Sequence, residues 1–317
     1  MQKPDFWTKH TVKTLILRPL SWLYVLLRWA HRRCRLWGRY WAGVPVISVG
    51  NITVGGSGKT PFVAKLAAHF ATEGKMVAVL CRGYGGQQRL PLQVTPDMPA
   101  ARVGDEPLML LKALEGQAVQ VWVGRDRVAL AKRAEAAGAD IFILDDGFQY
   151  DPLARDVDIV MIQASYGYGN GLCLPAGPLR EPVSALKRAD FGIVLNENAP
   201  LSYWGLPAYR LYTSAVEADL KHLKGKPVHA FAGIAHPDAF FEMLGKAGLD
   251  VQKTSAFTDH HLYTAADVQA LQASGLTLVT TSKDAVKLPP DFAHTVRIDL
   301  NGDDWQEIVT DIQSKLI

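Results

Sequence analysis

A chain of 317 residues that is 48% hydrophobic and 21% charged is too apolar to be disordered and long enough for one large or two modest cored units. Its three widely separated cysteines, Cys34, Cys81 and Cys173, exclude a disulfide framework and a cysteine-based zinc cluster, and they suit a reducing compartment. The net charge of +3 hides an asymmetry: residues 1–43 hold nine Lys/Arg against Asp5 alone, net +8, leaving −5 on the remainder.

Within that basic segment, residues 15–29 are rich in Leu and Trp. The uncharged run between Arg18 and Arg28 is far shorter than the roughly 20 residues needed to span a bilayer. At helical spacing, Leu15, Ile16, Leu20, Leu23, Leu26, Leu27 and Ala30 share one arc, while Arg18, Arg28, Arg32 and Arg35 gather on another. Such a helix suits a membrane interface, with Trp22, Tyr24, Trp29, Trp37 and Trp41 at headgroup level and the cations on anionic lipid. The bland alternative is a helix packed on the protein with its arginines in water. A signal peptide fits poorly because Arg18 interrupts the apolar run, and the near-continuous Leu/Val/Ile face favours lipid over nucleic acid.

The run VPVISV (44–49) predicts a buried strand, and NITVGGSGKTP (51–61) leads from it into a helical pattern over 62–70. Strand, Gly-rich loop and helix form the context of a phosphate-binding loop, in which backbone N–H groups and a helix N-terminus face anionic oxygens. Gly55, Gly56 and Gly58 permit close backbone approach, Lys59 supplies charge and Thr60 places a hydroxyl for Mg²⁺. The generic pattern has a glycine where this chain has Thr53, which predicts an unusual start to the loop.

Strand and helix continue to alternate. Residues 75–81, 141–144, 157–162 and 191–195 read as strands, and 106–114 and 125–137 as helices, so a parallel sheet covered on both faces is expected. The strand over 141–144 ends in Asp145 and Asp146, acids placed for Mg²⁺ beside a P-loop. Gln149 is a candidate for orienting water or substrate. Asp105 opens a helix, where a carboxylate is ordinarily a cap. A Gly/Pro-rich stretch over 167–182 is long for a crossover and suits an active-site loop. Polar residues over 221–227 mark a boundary, beyond which strands over 228–231 and 276–280 and a helix over 238–247 make a smaller α/β unit. His260 and His261 lack any metal-binding spacing, and a histidine tuning a base is the better reading.

The expected organisation is therefore an α/β protein in three spans: a basic amphipathic membrane-associating segment (1–43), a P-loop kinase core (44–222) and a smaller C-terminal α/β unit (223–317). Taken together, TVGGSGKTP (53–61), RGYG (82–85), GDEP (104–107), LDDGFQ (144–149), GPLREP (177–182), FTDH (257–260) and TSKD (281–284) resemble, in order, the tetraacyldisaccharide 4′-kinases of lipid A biosynthesis. Thr53 is the residue usual in that family.

The resemblance implies transfer of the ATP γ-phosphoryl group to the 4′-hydroxyl of tetraacyldisaccharide 1-phosphate, giving lipid IVA. It implies ATP and Mg²⁺ as cofactors, a glycolipid substrate, and a peripheral position on the cytoplasmic face of the bacterial inner membrane; neither nucleic acid nor an obligate protein partner is expected. By motif position, Thr53, Val54, Gly55, Gly56, Ser57, Gly58, Lys59 and Thr60 cradle the nucleotide, with Arg180 near the phosphates. Thr60, Asp145, Asp146 and Glu181 serve the metal. Asp105 matches the family's base, paired with His260 rather than His261.

Two rivals remain open to test. A membrane-recruited P-loop switch is weakened in its GTPase form because Lys283-Asp284 lacks the spacing of a guanine-reading motif. A vestigial P-loop is disfavoured because Lys59, Thr60 and both strand-end acids are present.

Overall fold

The computed structural model describes residues 4–56, 58–195, 201 and 205–316, so Ser57 lies outside the described residues. Helix α1 (Val12–Leu36) opens with a reciprocal capping box between Thr11 and Thr14. The chain then alternates through β1 (Val46–Gly50), α2 (Lys59–Thr72), β2 (Val77–Cys81), β3 (Leu92–Gln93), α3 (Ala100–Val103), α4 (Asp105–Ala113), β4 (Val119–Val123), α5 (Arg127–Ala136), β5 (Ile141–Asp145), β6 (Val157–Gln163), β7 (Phe191–Leu195) and β8 (Ala208–Ala215).

These strands form one large sheet. Its parallel body has the order β8-β7-β6-β1-β5-β2-β4, and β3 lies antiparallel on the β4 edge. Strands β1, β2 and β5 are buried at every position, as their unbroken apolar sequences require. Ile47, Val49 and Ile143 pack with Phe62, Leu66 and Phe70 of α2 in one core. Val46, Phe142 and Leu144 pack with Leu130, Ala131 and Ala134 of α5 in another, so alternate residues serve opposite faces.

A second sheet follows α6 (Glu217–Leu220). It comprises β9 (Pro227–Ala232), β10 (Asp250–Ala256), β11 (Thr277–Thr281) and β12 (His294–Val296), parallel in the order β10-β9-β11-β12. Helices α7 (Pro237–Lys246), α8 (Ala265–Gln272) and the short α9 (Ser282–Ala285) connect them. The span 223–317 is not wholly this small unit. Beyond β12 the chain returns to the large sheet, where β13 (Ile298–Asn301) pairs antiparallel with β8 and α10 (Trp305–Lys315) buries Ile308 and Ile312 in the α2 core. Two chain crossings therefore link the sheets.

Helix α1 is amphipathic in the reverse sense to an ordinary surface helix. Its buried residues are Thr14 and Ser21, whereas Leu15, Ile16, Leu20, Leu23, Leu26 and Leu27 are all more than half exposed. Ser21 Oγ donates to Cys173 O at 2.8 Å, and Arg28 and Arg32 bond Asp151, which is 1% exposed. Arg28 and Arg32 thus face the protein, Arg18, Arg33 and Arg35 are exposed, and these leucines face outward. No helix among the described residues is long and apolar enough to cross a membrane.

The parallel strands deliver their C-terminal ends to one edge, the usual ligand edge of such sheets. There β1 runs into the P-loop, β5 into Asp145-Asp146, and β2 into Arg82-Gly83-Tyr84. Gly50 allows the turn after β5 to lie directly on β1, since a Cβ there would stand 2.4 Å from Phe148 Cβ and 2.7 Å from Phe148 N. Phe148 is fully buried. Gly50→Ala is accordingly expected to lower unfolding free energy by about 1–3 kcal/mol through overpacking, read by urea denaturation. An unchanged midpoint would show that this contact does not constrain the turn.

Candidate active site

The P-loop begins as extended chain, which accounts for Thr53. Thr53 makes an antiparallel bridge with Leu179, Val54 N–H donates to Pro178 O at 2.9 Å, and Arg180 N–H donates to Ile52 O at 2.7 Å. A side chain that favours extended backbone stands where the generic loop has glycine, and the pairing places Arg180 beside the loop. Gly58, at φ +68°, makes the left-handed turn into α2, whose first residues are Lys59 and Thr60. The Lys59 ammonium lies 3.3 Å from Asp146 Oδ1 and 3.4 Å from Asn51 Oδ1.

Asp145 and Asp146 follow one another but have opposite electrostatics. Asp146, at φ +53°, bonds Arg180 Nη1 through both oxygens at 2.9 Å. Burial works against its charge, yet Lys59, Arg180 and Arg127 hold it well below the ordinary carboxylate range. Asp145 is 5% exposed, and its Oδ1 accepts no hydrogen bond. Burial, reinforced by the charge of Glu106, pushes it up to about 7. A buried, undonated carboxylate oxygen beside the P-loop suits a hard divalent cation.

No three His, Cys, Asp or Glu side chains converge to hold a metal among the described residues. A cation at Asp145 would therefore take its other ligands from Thr60, phosphate oxygens and water, which is how Mg²⁺ is ordinarily held. Glu181, expected at the metal, is placed otherwise. It is 3% exposed, and its Oε1 and Oε2 are occupied by Arg28 at 3.0 Å and Arg188 at 2.8 Å.

Asp105 and His260 come together from different sheets. Asp105 is the first residue of α4, and His260 follows β10 at φ +60°. His260 Nδ1 lies 3.0 and 2.9 Å from the two Asp105 oxygens. Asp105 is not the cap of its helix: that position is Gly104, although Asp105 Oδ1 does accept the Glu106 N–H at 3.0 Å. Burial would raise Asp105, but the His260 hydrogen bond and the charges of Lys283, His260 and Lys287 bring it below its ordinary value. His261 instead pairs with Asp267 at 3.1 Å and stacks on Phe257.

Arg127 has no signature of its own in the sequence. Arg127, 4% exposed, donates to the carbonyls of Asp145 and Asp146 at 3.0 and 3.3 Å and so pins the strand-end turn. Gln149 donates to Asn51 O at 2.8 Å, tying that turn to the P-loop. Lys283 was legible only as part of TSKD. A cavity of about 1770 Å³ is lined by Lys59, Thr60, Asp145, Asp146, Arg180, Glu106, His260 and Lys283, with Tyr24 and Arg28 of α1 at its wall. Asp105 lies just behind His260 and Glu106. The volume exceeds the roughly 300–1,000 Å³ of an ordinary ligand site and suits a nucleotide together with a second substrate.

A sequence profile of the tetraacyldisaccharide-1-P 4′-kinase family, LpxK, matches residues 13–316. A tetraacyldisaccharide 4′-kinase of Gluconobacter oxydans (strain 621H) is 41% identical over 306 residues, spanning 93% of this chain and 91% of that protein. One of Methylobacterium sp. (strain 4-46) is 42% identical over 322 residues, spanning 96% and 95%. The fold is similar to that of LpxK from Aquifex aeolicus, described as an "apo" form in complex with ATP, with a TM-score of 0.77, 28% identity, and coverage of 96% of this chain and 100% of that one.

Proposed function

Because the chain belongs to the tetraacyldisaccharide 4′-kinase family, we propose that its catalytic base is Asp105 held by His260, and that Lys59, Thr60, Asp145, Asp146 and Arg180 hold ATP and Mg²⁺ opposite that base. The activity is that of the family: the γ-phosphoryl group of ATP passes to the 4′-hydroxyl of tetraacyldisaccharide 1-phosphate, a lipid A precursor. The observation carrying the residue assignments is that the P-loop lysine, the strand-end acids and the His260 ring line one cavity, with Asp105 2.9 Å from that ring.

In this reading the acceptor oxygen bonds to the γ-phosphorus as the bond from that phosphorus to the β-phosphate oxygen breaks. The hydroxyl proton passes to Asp105, and ADP leaves. Thr60, Asp145 and Asp146 would hold Mg²⁺, which would supply neutralisation of the phosphate charge. Lys59 and Arg180, now spanned by Asp146, turn to the β- and γ-phosphates. Arg127 keeps Asp145 and Asp146 in place through their carbonyls. Backbone N–H groups of Gly55, Gly56 and Gly58 and the N-terminus of α2 receive the remaining anionic oxygens.

The outward leucines and tryptophans of α1, flanked by basic residues, are the surface on which the enzyme rests on the cytoplasmic face of the inner membrane. Acyl chains of the acceptor leave a bilayer only at high cost, so the enzyme comes to the lipid.

Transfer of γ-labelled phosphate from ATP to tetraacyldisaccharide 1-phosphate in detergent micelles tests the assignments. Lys59→Ala should remove most of the labelled lipid, and Asp105→Ala should lower kcat by on the order of 10²–10⁴ with ATP binding intact. A rise in lipid KM alone in Asp105→Ala would contradict the base role, and inorganic phosphate without labelled lipid would indicate an ATPase. For the membrane surface, Leu23→Glu with Leu27→Glu should weaken co-flotation with anionic vesicles about tenfold or more while sparing thermal stability, since both leucines already face outward. Undiminished flotation would sink that part of the proposal.

A further inference from the structure

Both nitrogens of the His260 ring are engaged, and their partners are opposite in kind. Nδ1 faces the Asp105 carboxylate, while Nε2 lies 3.3 Å from the ammonium of Lys283 in α9. Lys283 Nζ is also 3.2 Å from Glu106 Oε1 and 3.1 Å from Asp259 Oδ1. An ammonium donates three hydrogen bonds and accepts none, so these three acceptors use all its donors and Nε2 offers a lone pair. The proton of the neutral ring then resides on Nδ1 and is donated to Asp105. The opposite tautomer would set an N–H against the ammonium and a lone pair against the carboxylate. A doubly protonated ring would also confront Lys283, with Asp259 Oδ1 3.8 Å away on that side.

We propose that Lys283 is a positioning residue for phosphoryl transfer: its ammonium fixes His260 in the Nδ1-protonated tautomer and ties the His260 loop to α4, so that the ring presents an N–H to Asp105. This rests on the reading of Asp105 as the base. It follows that the acceptor proton stays on Asp105 and is not relayed through His260, because the other ring nitrogen faces a cation. Lys283 keeps its charge because, although burial opposes it, Glu106, Asp105 and Asp259 raise it above an ordinary lysine. His260 also lies at φ +60° with the Tyr84 ring 5.0 Å from its own, so its placement depends on tertiary contacts.

The charged groups facing the pair are Asp259 and Lys283 around His260, Lys287 at 3.8 Å from Asp105, and Glu106 on the far side of Lys283. Lys283 is among the charges that lower Asp105, so its removal lets Asp105 rise. The acidic limb of kcat/KM, where the base must be ionised, therefore moves to higher pH in Lys283→Met.

Nitrogen NMR of the full-length enzyme with ¹⁵N-labelled histidine rings, the His260 signals assigned by their loss in His260→Gln, reads the tautomer without reference to catalysis. The expected spectrum has Nδ1 protonated and Nε2 unprotonated, with mixed tautomers in Lys283→Met and the original one in Lys283→Arg. A wild-type ring protonated on Nε2 would overturn the proposal whatever the kinetics.

In parallel, Lys283→Met should lower kcat by roughly 10- to 100-fold with the KM for ATP unchanged, Lys283→Arg should restore most of it, and in Asp105→Asn the same substitution should add little. A change confined to KM, or the full loss repeated in Asp105→Asn, would overturn the positioning role. Full activity of Asp105→Asn would overturn the base reading and the catalytic half of the proposal with it, while the spectrum would still decide the tautomer.

Discussion

Buried carboxylates are the constraint around which this protein is arranged. Asp105, Asp145, Asp151 and Glu181 are each 5% exposed or less. A buried charge without a partner is costly, and removing one partner from a buried pair costs more than the pair itself contributes. Cations reach these acids from segments far apart in the chain. Arg28 and Arg32 of α1 meet Asp151, Arg28 and Arg188 meet Glu181, and Lys283 and Lys287 stand by Asp105 with His260. Asp145 keeps a buried oxygen without a donor, at the position where a phosphate-bound cation fits.

The same matching explains how peripheral parts are held. Helix α1 turns Arg28 and Arg32 inward because Asp151 and Glu181 need them, and its leucines are left facing outward. The small sheet is joined to the large one by two chain crossings and, at the site, by the cluster of Asp105, Glu106, Asp259, His260 and Lys283. Apolar contacts join them too: Val286 packs against the large sheet's core, and Ala215 and Ile298 against the small sheet's.

Local patterns made much of this legible. Unbroken apolar runs located the central strands, the glycine-rich loop and strand-end acids located the nucleotide end, and Thr53, unusual for a generic P-loop, proved to be strand-paired with Leu179. What stayed hidden were partnerships across long separations. Asp105 and His260 are 155 residues apart, and Glu181 meets Arg28 across 153, so nothing in GPLREP shows that its acid is already occupied. The return of β13 to β8 escaped notice because four residues with an aspartate and an asparagine hold little apolar signal, and their placement depends on α10 packing on α2. The amphipathic pattern of α1 was visible, but only the buried acids determine which face turns inward.

The central claim is that Asp105 and His260 act as one unit assembled from two sheets. Its most direct test is a double-mutant cycle on labelled-phosphate transfer, using Asp105→Asn, His260→Gln and both together. Residues that act as a unit give non-additive losses, so the double substitution should cost about as much as the more damaging single one. Losses that multiply would contradict the account, showing that each residue contributes independently and that their contact is incidental to the chemistry.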